Sequence, residues 1–593
     1  MVQTRTASLV AALTELRDRL AGVRLPLDLP DAEGAGSAAR GAVGQLDDYL
    51  LPRLGRLDAP LLVVVGGSTG AGKSTLVNSL VRAPVSAPGV LRPTTRSPTL
   101  VCHPDDAPWF AESHLLPGLA RTTQHSDDPA TLRVVVAPAL RAGLALLDAP
   151  DIDSVVADNR ALAAQLLAAA DLWLFVTTAA RYADAVPWDL LRTARDRGAV
   201  TALVLDRVPP GADAEIVPDL TRMRAANGVA DGPLFVIPES VLDGQGLLAE
   251  SVVAPVRAWA DALAGSAAER ADVVRRTVGG AVAALAPIVA TVSAAADAQI
   301  AAARLLSATV DTAYESGVSA VGNGLSRGDL MRGEVLARWQ DLVGTGEFMR
   351  GVQARVAALR DRFSAAVTGR PRPADELREA LGSGLSVLVR EAAAGAAEDA
   401  ARGWRAHPAG TALLRAAPDL GTPAPDLAAR VDMLVREWQQ SVLDLVRTEA
   451  GQRRHIARVS AYAVNALGLA AMVVVFAATA FIPTGAELAV GAGTTVAAQK
   501  ILEAIFGDQA VRELAEKARA DLLRRVGALL ATEADRFRAV LAAAPVDDAA
   551  PDALRRAAAE VARAARGANL TPEPAPPGSA AEPHSGARGR VEP

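Results

Sequence analysis

The sequence predicts an α/β phosphate-loop nucleotide-binding domain, a mostly parallel sheet with helices on both faces, joined to a long all-α trunk that carries a hydrophobic, membrane-inserting helical hairpin. Three observations predict this. The apolar run Leu61–Val65 leads into Gly67-Ser68-Thr69-Gly70-Ala71-Gly72-Lys73-Ser74-Thr75 and then into a helical pattern. Up to about residue 240, short apolar runs bounded by turn residues alternate with helical segments, the texture of a parallel sheet buried on both sides. Beyond residue 251 the chain is long, helical and Ala/Leu/Val/Arg-rich, and it contains one stretch, Val459–Ala486, without a charged residue.

Composition sets the frame for these elements. The 593 residues exceed one compact domain. Half of them are hydrophobic but only 3% are aromatic, with alanine supplying much of the apolar share, which favours helix because alanine loses no side-chain entropy there. A net charge of −6 argues against a globally basic nucleic-acid binder, so no nucleic-acid partner is expected. Cys102 is the only cysteine, which excludes an intramolecular disulfide and a cysteine-rich metal site and favours a reducing setting. Met1–Leu20 carries Arg5, Glu15, Arg17, Asp18 and Arg19 and reads as an amphipathic helix of the folded protein, not a signal peptide.

In chain order, residues 1–57 are expected to form helices, broken around Pro26–Gly36, that pack on the trunk or the nucleotide domain. Residues 58–250 form the nucleotide domain, with strands over Leu61–Val65, Leu132–Val136, Leu144–Leu147, Leu172–Thr177, Val200–Leu205 and Leu234–Ile237. Residues 251–458 form the trunk, interrupted near Pro371–Pro373 and Pro408–Pro425 and showing no fixed-period repeat, which favours a bundle or coiled-coil stalk over a solenoid. Residues 459–506 form the hydrophobic hairpin. Its first arm approaches the ~20 residues needed to cross a bilayer. Its second arm, Leu488–Ala498, is shorter and more polar, so a hairpin suits it better than two full crossings. The bland alternative is a buried core helix of the bundle. Residues 507–567 return as an amphipathic helical segment, and the Pro/Glu/Gly/Ala-rich tail, 568–593, is expected to be disordered. Arg447, Arg453, Arg454, His455 and Arg458 before the hairpin, and Arg512, Lys517, Arg519, Arg524 and Arg525 after it, predict anionic membrane lipids as partners and both hairpin ends at the cytoplasmic face of the cell membrane.

The nucleotide site is expected at Gly67–Thr75. Glycines let the backbone wrap so that successive amides point at phosphate oxygens, and the following helix adds its positive end. Lys73 would reach the β- and γ-phosphates, and the Ser74 hydroxyl would ligate Mg2+. A second metal contact is expected where an apolar strand ends in aspartate, at Leu144-Ala145-Leu146-Leu147-Asp148, acting through water. Between these, Arg92-Pro93-Thr94-Thr95-Arg96 offers a threonine for the metal and the γ-phosphate, Thr95 being preferred over Thr94. The catalytic set is thus Lys73, Ser74, Thr95 and Asp148, and the metal set Ser74, Thr95 and Asp148.

With these residues in view, the chain resembles the translation-factor-related superclass of GTPases, and within it the bacterial dynamin-like and Era-related membrane-associated branch. The resemblance rests on Gly67–Thr75 continued by Leu76-Val77-Asn78-Ser79-Leu80, on Arg92-Pro93-Thr94-Thr95 and on Leu147-Asp148-Ala149-Pro150-Asp151, and it covers roughly residues 58–240. It implies a GTPase that binds GTP with Mg2+ and couples nucleotide state to membrane binding or remodelling. It also implies self-association through the GTPase domain, as a homodimer or oligomer, or pairing with a related GTPase.

Two positions depart from the family. Asp151 stands where the family has a glycine whose amide contacts the γ-phosphate. In Asp206-Arg207-Val208-Pro209, proline replaces the carboxylate that reads the guanine N1–H and amino group, which proline cannot do. Arg207 could stack on the base in place of lysine, and Asp206 or Asp213 could replace the missing acceptor. Ile152 and Gly70 supply no group to orient the attacking water, so slow hydrolysis unless stimulated by self-association or lipid is expected. The alternatives are a nonenzymatic, nucleotide-gated membrane scaffold and, more weakly, a transport ATPase, which lacks here both its Leu-Ser-Gly-Gly-Gln signature and a glutamate after Asp148. Cys102-His103 lacks an orienting third group and reads as ordinary strand or loop.

Overall fold

The computed structural model describes residues 2–86, 97–112, 115–126, 128–152, 157–196, 199–230, 232–327, 330, 373–452, 473–475, 477 and 508–570. The chain forms two compact units. One contains Met1–Leu25, Asp31–Asp297 and Asp547–Pro593; the other contains Pro26–Pro30 and Ala298–Val546.

The first unit is built on a sheet of eight strands: β1 Leu61–Gly67, β2 Thr99–Cys102, β3 Ala120–Thr122, β4 Thr131–Val136, β5 Leu144–Asp148, β6 Leu172–Thr178, β7 Val200–Val208 and β8 Leu234–Pro238. Their spatial order is β3-β4-β2-β5-β1-β6-β7-β8. Every neighbouring pair is parallel except β2–β5, so β2, β3 and β4 run against the other five. All residues of β1, β5 and β6 are buried. A strand with no polar alternation must be covered on both faces, and the uninterrupted Leu/Val runs are the sequence form of that condition. All six strands expected from apolar runs are present. The sequence reading missed β2, which is confined between Pro98 and His103-Pro104, and β3, a short edge strand without an apolar run.

The unit's helices include α1 Val2–Gly22, α2 Ala32–Gln45, a π-helical turn Leu46–Leu50, α3 Leu51–Gly55, α4 Lys73–Val81, α5 Ala107–Ala111, α6 Ala157–Ala168, α7 Ala185–Asp196, α8 Asp213–Ala226 and α9 Glu250–Leu263. Leu9, Leu13, Leu16 and Leu20 of α1 recur at helical spacing and share one core with Leu554, Ala557, Val561 and Ala565 of the helix Ala550–Gly567. A buried ionic cluster joins the N-terminal helices to the sheet. Arg53 and Asp171, both fully buried, form an ion pair in which Nη2 donates to Oδ2. Tyr49 donates to the other carboxylate oxygen at 2.9 Å, and the Leu62 amide of β1 donates to Oδ2 at 2.7 Å.

The second unit is helical: the part of α10 (Ala267–Arg327) from Ala298 onward, then Pro373–Arg405, Pro408–Ala416, Leu427–Gln452 and Asp508–Ala542. Two tryptophans anchor its core. Trp404 donates its indole N–H to Leu306 O at 3.0 Å and packs edge-on against Phe537, with ring centroids 5.1 Å apart. Trp438 donates to Ala518 O at 2.8 Å. The short segment Pro26–Pro30 is held by reciprocal bonds between the Leu27 backbone and the Gln299 amide, both 2.8 Å.

Of the predicted membrane hairpin only Val473, Val474, Val475 and Ala477 are described; they are helical and buried in this second core. The rest of 459–506 lies outside the described residues. Among the described residues one helix, Ala267–Arg327, is long and apolar enough to cross a membrane, and half of its most apolar window is buried inside the protein.

Candidate functional site

The site forms where β1 ends. At Gly67 the backbone takes φ +154°, and a Cβ there would lie 2.1 Å from the Val176 carbonyl oxygen of β6, so only glycine fits. The chain then turns through Ser68–Gly72, closed by the Ala71 amide donating to Ser68 O at 3.1 Å, and enters α4 with Gly72 at φ +94°. The loop thus has the strand–turn–helix context that its sequence requires.

Lys73 folds back over this loop. Its ammonium donates to Gly67 O and Ser68 O, both at 3.0 Å, and to Asp151 Oδ1 at 2.5 Å, with only 6% of the side chain exposed. Ser74, one residue on, donates its hydroxyl to Asp148 Oδ2 at 2.6 Å. Asp148 ends β5, beside β1, in register with Val65. Its carboxylate is fully buried, and among the described residues its Oδ1 has no hydrogen-bond partner. Burial pushes its pKa above the usual carboxylate range, opposed by the hydroxyls of Ser74 and Ser86 and by the nearby Lys73 ammonium. Lys73, Ser74 and Asp148, identified from sequence, are therefore brought together. Thr95 lies outside the described residues.

Several participants escaped the sequence reading. Ser86 also donates to Asp148 Oδ2, at 2.6 Å. Asn78 of α4 fixes Ser86 by accepting from the Val85 and Ser86 amides at 3.0 and 2.8 Å and donating to Ser86 O at 2.7 Å. Arg181, just past β6, donates to Thr69 O at 3.2 Å. Nothing in their spacing marks Ser86 or Arg181, because their partners lie on distant elements.

Near the end of β7, Asp206 and Arg207 grip the phosphate loop. Arg207, in the left-handed region at φ 53°, donates from Nη2 to Gly70 O. Asp206 accepts from the Arg207 amide at 2.9 Å, and its Oδ2 abuts Gly72, where a Cβ would approach to 2.3 Å. Burial raises the Asp206 pKa, against hydrogen bonding from the Arg207 amide and the charge of its guanidinium. Asp213 opens α8. The end of β8 lies beside this corner, with the Glu239 amide donating to Val208 O at 2.9 Å. Ile152 is buried, so it offers nothing to a water molecule.

Among the described residues no group of three or more His, Cys, Asp or Glu side chains could hold a metal ion. The donor set at Ser74 and Asp148 is instead one hydroxyl and one carboxylate with an unpartnered buried oxygen, which suits a hard, oxygen-preferring cation that keeps several of its waters.

No protein-family model matches the sequence, and no curated protein matches it. Solved structures do. Two come from a study described as an oligomerised bacterial dynamin pair that provides a mechanism for long-range sensing and tethering of membranes. One has a TM-score of 0.44 and 9% identity and covers 95% of each chain; the other has 0.37 and 10%, covering 90% of this chain and 91% of that one. A third, described as the LeoA bacterial dynamin GTPase from ETEC, has a TM-score of 0.22 and 10% identity, covering 96% and 99%. At these scores and identities the likenesses assign no role to any residue of this chain.

Proposed function

We propose that the chain is a GTP-hydrolysing switch protein of dynamin-like organisation that couples its nucleotide state to a membrane surface. The observation that carries the nucleotide half is the loop Gly67–Thr75, whose wrapped backbone, buried Lys73 and Ser74–Asp148 pairing form a triphosphate cradle at a helix N-terminus. Loop amides hold the α- and β-phosphates, and Lys73 binds the β,γ oxygens. Ser74 and Asp148 would hold Mg2+, Ser74 directly and Asp148 through water, with Thr95, outside the described residues, as a third ligand. Mg2+ bound there would neutralise charge on the β–γ bridge as it breaks. Arg181 and Arg207 keep the loop in its binding shape by holding the Thr69 and Gly70 carbonyls. Guanine selection, self-association and the coupling of nucleotide state to a membrane are the parts of this reading that rest on resemblance.

The membrane half rests on sequence: the uncharged stretch Val459–Ala486 and the basic residues on both sides of it. In this reading the hairpin anchors the chain at the cytoplasmic face, on anionic lipid. Self-association through the nucleotide domain then supplies the missing water-orienting group. A second reading, a nucleotide-gated scaffold without turnover, is favoured by the buried Ile152 and by the carboxylate on Lys73.

Hydrolysis of GTP and ATP by the full chain, with and without anionic liposomes and beside Lys73→Ala, separates the two. GTP-selective turnover raised by liposomes and lost in Lys73→Ala supports the enzyme. Tight binding without turnover supports the scaffold, and absence of binding in the unaltered protein removes both.

A further inference from the structure

Asp151 lies outside the phosphate loop, just after β5, yet its carboxylate reaches Lys73. An ammonium has three donors, and those of Lys73 are matched to Gly67 O, Ser68 O and Asp151 Oδ1. The two carbonyls belong to the loop and stay with it when a phosphate binds. The third partner is an anion in a part-buried position, with 18% of the Asp151 side chain exposed. It is also anchored: the chain after β5 continues alongside the end of β1, with the Ala149 amide donating to Val65 O at 3.2 Å and the Ile152 amide to Gly67 O at 3.5 Å. The carboxylate is therefore presented to the ammonium by a fixed segment and not by a wandering side chain.

We propose that Asp151 is a specificity-determining residue whose carboxylate stands in for a γ-phosphate on Lys73 and biases the site toward nucleoside diphosphate. This rests on the nucleotide reading given above. The terminal phosphate of a triphosphate depends on Lys73 and on the segment after Asp148, so it must either displace Asp151 or lie against it. Displacement breaks a charge-assisted bond in a poorly hydrated place; coexistence sets two anions side by side. A diphosphate is held chiefly by the loop amides and the start of α4, and it meets this opposition only weakly. Bound triphosphate thus releases the 148–152 segment from Lys73, and loss of the γ-phosphate returns it.

The test compares full-length wild type, Asp151→Asn and Asp151→Gly by equilibrium titration with fluorescent GDP and a non-hydrolysable GTP analogue, both with Mg2+. Asparagine keeps the shape and removes the charge. With one charge removed at a few ångströms in a partly screened site, the ratio of triphosphate to diphosphate affinity rises about tenfold or more in both variants. A ratio within twofold of wild type in Asp151→Asn, with GDP affinity retained, overturns the proposal, as does a shift toward GDP. Should wild type bind neither nucleotide, the nucleotide reading itself fails and this assignment falls with it. Thermal unfolding of Asp151→Asn is recorded in parallel; if that variant is unfolded, the ratio in Asp151→Gly decides.

Discussion

Adjacent glycines at the end of β1 should respond very differently to one added methyl group. At Gly67, φ is +154° and a Cβ would sit 2.1 Å from Val176 O and 3.0 Å from Val176 C. Both atoms are backbone of the buried strand β6, paired in register with β1, so neither can step aside without opening the seam at the centre of the sheet. At Gly66 the nearest atoms to a Cβ belong to the Leu167 side chain, the first at 3.2 Å, which can give by a small rotation. Overpacking a rigid core costs about 1–3 kcal/mol, and a backbone conformation suited to glycine adds about 1–3 kcal/mol for alanine. Gly67→Ala should therefore lose about 3 kcal/mol or more, while Gly66→Ala stays near 1 kcal/mol, within the range of tolerated core changes. Urea unfolding followed by circular dichroism measures both, and nucleotide titration should show binding lost in Gly67→Ala and kept in Gly66→Ala. If the two variants unfold within 0.5 kcal/mol (roughly the scatter of surface substitutions) and bind alike, the close approach of β1 to β6 is wrong, and with it the account of why the loop begins there.

Two further outcomes follow from buried groups. In the Arg53–Asp171 pair, Arg53→Met leaves a buried carboxylate without its cation and should cost about 3–5 kcal/mol; the double variant with Asp171→Asn should cost clearly less than the sum of the singles, and additivity in urea unfolding would refute the coupling. Cys102 in β2 is buried, and burial, with a smaller contribution from Asp106, pushes its thiol up to about 11 from 9.0. The folded state therefore holds this proton more tightly than the unfolded state. The associated stability is fully present below pH 9 and lost as pH rises toward 11, at about 1.4 kcal/mol per unit. Cys102→Ala should flatten that part of the stability–pH curve, and an unchanged slope would show the thiol to be exposed to water in the folded protein.

What the sequence made legible followed from chain-local physics. Apolar runs of four to six residues mark strands: β5, β1 and β6 at the middle of the sheet are buried throughout and β7 over most of its length, while β4 and β8, also marked by such runs, are only partly buried. The two missed strands are short, and β3 lies at the edge, where burial no longer demands an apolar run. The reversal of β2, β3 and β4 was also hidden, because strand direction is set by connections and not by composition. At the site, the phosphate loop was legible because strand, glycines and helix are contiguous, and Asp148 because it ends an apolar run. Ser86 and Arg181 were not: each touches the site from another element, through a contact that only the assembled sheet creates. Asp151 was visible as an anomaly, but its partner Lys73 became apparent only once β5 lay beside β1.

The same distinction explains the degenerate segment Asp206-Arg207-Val208-Pro209. In the base-reading motif that the resemblance implies, two physically separate tasks are combined: the first residues would brace the phosphate loop, and the last carboxylate would face the base. Here the bracing is intact. Arg207 holds the Gly70 carbonyl, and Asp206 is wedged against Gly72 while accepting from the Arg207 amide. Asp206 is thereby committed: one oxygen accepts from the next residue's amide and the other faces the loop, so it is poorly placed to act as the guanine acceptor that Pro209 cannot be. If the proposed nucleotide reading holds, Pro209 would cost base discrimination only, because the contacts that brace the phosphate loop come from Asp206 and Arg207. A protein with this corner can bind a nucleoside phosphate through its phosphates while recognising the base by other groups, such as those at the end of β8, which the Glu239–Val208 backbone bond brings to the same edge. Phosphate binding and base choice are therefore independent questions for this chain, and an answer to one does not supply the other.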